Sequence, residues 1–178
     1  MFRQPAFGIA LSTLVLASGF MNTPIPSHSS TNQTSQQLAS SQVATSTTTF
    51  DTTALEKSVF EQINRYRVSQ KLPKLTLNAN ISQQARIHSQ DMAKGKVQFS
   101  HHGLEKRVTA ISIRFNSAGE NVAVNQGYSN PASQAVVGWL DSPGHLKNIK
   151  GNYNLTGVGV ATNQQGEVYL TQIFLLSN

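Results

Sequence analysis

The chain has 178 residues, a formal net charge of +6 and no cysteine. That length fits one domain, and without a disulfide its stability must come from an apolar core. Lysine and arginine are scattered, without the basic run that marks a nucleic-acid surface, so the positive charge speaks to solubility and general attraction to anionic surfaces.

Arg3 precedes an apolar run from Ala6 to Ala17, and Ala17-Ser18-Gly19 places small residues where a signal peptidase reads. Residues 1–19 are therefore expected to be a secretory signal peptide. Their apolar run is too short to span a bilayer comfortably; an uncleaved anchor is the alternative. Membrane contact is expected only through this segment, and the product is expected outside the cell or in its envelope. Between Asn22 and Phe50, Ser, Thr, Gln, Asn and Pro dominate and no charged residue occurs. Such a stretch buries too little apolar area to offset its ordering entropy. Residues 20–50 are expected to be a disordered linker, His28 included, leaving 51–178 to fold.

Asp51-Thr52-Thr53 offers N-cap chemistry, and Leu55, Val59, Ile63 and Tyr66 follow at helical spacing, with Arg65, Arg67 and Gln70 on other faces. Leu72-Pro73 ends that helix. A second helix is expected from about Asn80 to Lys96, with Ile81, Ala85, His88 and Met92 on one face and Gly95 at its end. That spacing puts His88 on or beside the buried stripe, either as a core histidine with one hydrogen-bond partner or as a group that supports the site from behind. Leu104, Val108 and Ile111 suggest a short amphipathic piece that lets the chain return and bring Gly119 beside His101.

Pro131 to Leu140 reads as a helix with Ala132, Ala135, Val136 and Trp139 on one side. Ser142-Pro143 reads as an N-cap with proline at the first helical position. Gly157 to Ala161 and Val168 to Phe174 are strand-like, and Asn163-Gln164-Gln165-Gly166 between them is hairpin chemistry.

A set of motifs runs through the chain in order: Ile63-Asn64-Arg65-Tyr66-Arg67, Leu72-Pro73-Lys74-Leu75, Phe99-Ser100-His101, Gly119-Glu120-Asn121, Trp139, Ser142-Pro143-Gly144-His145, Gly157-Val158-Gly159-Val160 and Thr171-Gln172. The set resembles the CAP superfamily of cysteine-rich secretory, antigen 5 and pathogenesis-related proteins, and within it the bacterial secreted, SCP-like branch. The resemblance implies an α+β fold, a three-layer α-β-α sandwich around a central antiparallel sheet. It also implies an open cleft lined by two histidines and two acidic residues. His101 matches the first histidine and Glu120 the first glutamate. Ser142 stands where the second glutamate falls, and Tyr169 where the second histidine falls. His145 belongs to the segment typical of the bacterial branch.

The candidate residues are thus His101 and Glu120 for catalysis, and His145, Asn121, Tyr169 and Ser142 for binding. His101, Glu120 and His145 could also hold a divalent metal such as zinc, since imidazole nitrogens and a carboxylate suit it. Structural roles compete: Ser142 as a cap, Glu120 tying down loop backbone, Asn121 bonding backbone in its turn, Trp139 in the core and His102 in solvent. There is no Gly-x-Ser-x-Gly elbow and no His-Glu-x-x-His zinc helix. Two readings stay open. One is a secreted, monomeric binding module for a cell-envelope component, a lipid or a protein. The other is a weak metal- or His/Glu-dependent hydrolase acting on peptide or envelope material.

Overall fold

A computed structural model describes residues 49–178. The expected signal peptide, and the linker except Thr49 and Phe50, lie outside the described residues. The elements in order are α1 (Thr52–Ser69), β1 (Thr76–Leu77), α2 (Ala79–Ala93), α3 (Leu104–Thr109), β2 (Phe115–Gln126), α4 (Pro131–Asp141), α5 (Pro143–Lys150), β3 (Leu155–Thr162) and β4 (Glu167–Ser177). The strands form one sheet in the order β1-β3-β4-β2. β4 pairs antiparallel with both β3 and β2, and the two residues of β1 run parallel to β3.

The pleat of β4 divides the core. Val168, Leu170 and Phe174 join Val59 and Ile63 of α1 and Trp139 of α4 on one face. Ile173 and Leu175 join Ile81 and Ala85 of α2 and Val108 of α3 on the other. Alternate strand residues point to opposite faces, so a sheet apolar on both sides needs a helical layer on each. The result is the α-β-α sandwich. Among the described residues no helix is long and apolar enough to cross a membrane.

Local chemistry explains the element ends. The Asp51 carboxylate accepts from Ala54 N–H at 3.1 Å and caps α1. Asn78 caps α2 through bonds from Asn80 and Ile81 N–H. Gly95, with φ +66°, takes the left-handed turn after α2 that a residue without Cβ adopts readily. On β3 the two glycines serve packing. A Cβ on Gly157 would lie 2.2 Å from Ser82 N, and one on Gly159 would lie 2.0 Å from Arg86 N. Helix α2 therefore rests directly on the backbone of β3.

Three local expectations are corrected. Arg67 is not on a solvent face: it is 1% exposed and donates to the carbonyls of Pro73, Ile149, Gly151 and Tyr153. Burial lowers its pKa from the usual arginine value, and its fork ties α1 to the turn after α5. Asn121 lies in the long strand β2 rather than in a turn, because Gly119-Glu120-Asn121 pairs with Phe174-Ile173-Gln172. Pro143 does open helix α5 at its first position, as the Ser142-Pro143 pair predicts. Ser142 does take the N-cap position of α5, but its side chain makes no capping hydrogen bond; its backbone carbonyl accepts only the first helical bond, from Leu146 N–H at 2.8 Å.

Candidate functional site

The site is built around β2, the edge strand of the sheet. Consecutive residues of a strand face opposite ways, so Glu120 and Asn121 reach into different layers. Glu120 pairs with Ile173, on the α2–α3 side, and Asn121 with Gln172, on the other.

Glu120 has a fully buried side chain. His101 Nδ1 lies 3.0 Å from Glu120 Oε1. A carboxylate only accepts, so Nδ1 carries the hydrogen and the lone pair of a neutral His101 ring sits on Nε2. Arg107, from α3, donates to the same carboxylate: Nε to Oε2 at 3.1 Å, and Nη2 to Oε1 at 2.8 Å and Oε2 at 2.7 Å. Each carboxylate oxygen thus receives two donors, which fills its acceptor capacity. Arg107 also donates to the carbonyls of His102 at 2.8 Å and His101 at 3.4 Å. One guanidinium therefore locks the histidine loop to the strand.

Behind this loop, His88 on α2 is 4% exposed, and its Nε2 donates to the Ser100 carbonyl at 2.8 Å. This is the core histidine with one partner, one of the two readings that the helical spacing leaves open. Burial lowers its pKa from 6.5; its bond to Ser100 opposes the shift in part.

On the other side of β2, α5 delivers His145. The Asn148 amide donates to the Glu120 carbonyl at 3.0 Å and to Asn121 Oδ1 at 2.9 Å, while Asn121 Nδ2 donates to the His145 carbonyl at 3.3 Å. Two asparagines thus latch α5 onto the edge strand. Gly119 leaves them room, since a Cβ there would meet the Tyr153 hydroxyl at 2.8 Å and Asn148 Oδ1 at 3.0 Å. The latch sets the His101 and His145 ring centroids 6.1 Å apart, tilted by 52°. His145 Nδ1 is buried without a hydrogen-bond partner. Burial first, and His101 second, lower the His145 pKa.

The structure thus brings His101, Glu120, Asn121 and His145 together. It does not bring in Tyr169. That residue pairs with Val124, four strand positions from the Glu120–Ile173 pair, and its hydroxyl donates to Glu167 at 2.9 Å. The fold places His145, and not Tyr169, beside His101. Ser142 makes no hydrogen bond to either His101 or Glu120. Trp139 is core, and its indole N–H donates to the Val122 carbonyl at 3.0 Å.

The metal expectation does not fit these residues. Among the described residues, no three His, Cys, Asp or Glu side chains form a group able to hold an ion. Glu120 spends its acceptor positions on Arg107 and His101, and a fixed cation stands where a metal would have to approach.

Sequence reasoning missed Arg107 and Asn148. A signal for the first exists: Arg107 lies three residues after Leu104 and four before Ile111, inside the apolar stripe, and a charge there needs a partner. Asn148 carries no comparable signal.

The sequence pattern of the cysteine-rich secretory protein family, CAP, matches residues 60–174. The chain belongs to the CAP family. It is 36% identical over 124 residues to the uncharacterized protein YkwD of Bacillus subtilis (strain 168), covering 67% of this chain and 46% of that protein. It is also similar to a crystallised extracellular SCP-domain protein of Bacillus anthracis, at 29% identity and a TM-score of 0.59, covering 71% of this chain and 41% of that one. An outer surface protein of Borrelia burgdorferi shares the fold, with a TM-score of 0.63 at 16% identity over 72% of this chain and 97% of that one. This CAP chain thus spans less than half of YkwD's length. The α-β-α architecture is the one these neighbours have.

Proposed function

We propose that this CAP protein is an extracellular or cell-envelope binding module, monomeric, that holds an envelope component at the His101–His145 pair. One observation carries the reading: Glu120 has no acceptor position left, so it anchors the loop rather than moving protons. What remains for a ligand is two imidazoles side by side, one half-exposed and one partly buried. The N-terminal charge-then-apolar pattern supports export, as does the likeness to a protein described as extracellular. Membrane contact, on this reading, is confined to the N-terminal segment.

The test is co-sedimentation of the full chain with purified cell-wall sacculi. The double variant His101→Ala/His145→Ala is expected to bind at least about tenfold more weakly, the effect of losing about 1.4 kcal/mol. Equal retention of both proteins would overturn the reading, as would a chain that stays in the cytosol of the expressing bacterium.

The His101–Glu120 contact favours a second reading. A ring held through Nδ1–H by a carboxylate leaves Nε2 free as a general base for water. Weak hydrolysis of envelope peptide, lost in His101→Ala, is the outcome that would favour it.

A further inference from the structure

We infer that Arg107 is a resident cation standing in for a metal ion at Glu120, and that it decides what the imidazole pair can hold. Three observations carry this. The guanidinium fills three of the four bonds that Glu120 accepts, with His101 in the fourth. The Arg107 side chain is only 11% exposed and that of Glu120 is fully buried, so an arriving ion could not screen or displace the pair as it could at the surface. The same guanidinium binds the His101 and His102 carbonyls. It therefore cross-links strand, loop and helix, the task a structural metal performs elsewhere. A divalent ion placed between His101 and His145 would find two nitrogens, a neutralised carboxylate and an adjacent positive charge. That is one ligand short of the three protein ligands of a catalytic zinc site. The imidazole pair is thus reserved for ligands that hydrogen-bond to it. This inference is independent of whether the pair binds an envelope component, so the zinc titration below and the sacculus assay succeed or fail separately.

The experiment titrates the metal-free full chain with zinc, following the histidine ring signals by NMR and the heat by calorimetry. The native protein is expected to show no saturable one-to-one site involving both His101 and His145. Arg107→Met releases Glu120 and is expected to raise zinc affinity at least about tenfold, the lower end of what a rearranged ligand environment changes. Arg107→Lys keeps a cation beside Glu120 and is expected to stay near the native behaviour, which a merely structural role for Arg107 would not predict. A folded Arg107→Met that gains no affinity overturns the inference. Should that variant fail to fold, Glu120→Gln decides: unchanged weak zinc binding supports the inference. A tight native site lost in Glu120→Gln overturns it.

Discussion

Three histidines near β2 have three different settings. His101 is half-exposed and held by Glu120, His145 is partly buried with one orphaned nitrogen, and His88 is buried against the Ser100 carbonyl. The pKa of His88 and of His145 is lowered, chiefly by burial. Each ring therefore takes up a proton more readily in the unfolded chain than in the fold. Their contribution to stability is complete above the ordinary value of 6.5 and is lost as pH falls below it toward the lowered folded values. Urea midpoints measured at about pH 7.5 and about pH 5.5 are expected to fall on acidification. His88→Gln keeps an amide donor for Ser100 without a titrating group, and its midpoint is expected to fall less. Identical losses in the two proteins would mean that His88 is not responsible.

The elements meet through backbone as much as through side chains. Helix α2 sits on Gly157 and Gly159 so closely that no Cβ fits. Gly159→Ala is expected to push α2 off the sheet and to cost roughly 1–3 kcal/mol, the usual range for overpacking; denaturant titration measures it, and an unchanged midpoint contradicts the packing. Helix α5 adds polar contacts to the burial of Ile149. Asn148→Ala would leave the Glu120 carbonyl and Asn121 Oδ1 without its amide. The expected loss is about 1–3 kcal/mol for unpaired buried groups, with movement of the His145 ring signals in NMR. Ring signals that stay in place would show that α5 is held by other contacts. The remaining edge of the sheet uses similar means: Glu56 Oε1 accepts from Val160 N–H at 3.1 Å while both its oxygens accept from Arg86 at 2.7 Å. A carboxylate thus covers a strand edge that would otherwise offer itself to another chain.

At the scale of the molecule, two apolar clusters on either face of one sheet account for the fold, and the first includes Phe50 among its packed neighbours. Residues 22–48 carry no charge and few large apolar groups, so little in their composition can add to that core. A chain beginning at Thr49 is expected to melt at the same temperature as one retaining the preceding segment. A clear drop on trimming would show that residues before Thr49 contribute to stability.

The sequence by itself determined the family, the helix stripes of α1, α2 and α4, and the β3–β4 hairpin. These depend on local periods, turn chemistry and the order of motifs, all of which run along the chain. Only the tertiary structure decided that His145 joins the site and Tyr169 does not: α5 sets His145 beside His101, while the β2–β4 register leaves Tyr169 four strand positions from Glu120. It alone placed Arg107 on Glu120, Arg67 among four carbonyls and Asn148 across β2. Each is a polar group whose partners lie on other elements, so no period along its own helix names them. Burial makes such groups find hydrogen bonds, but the fold determines which ones are within reach.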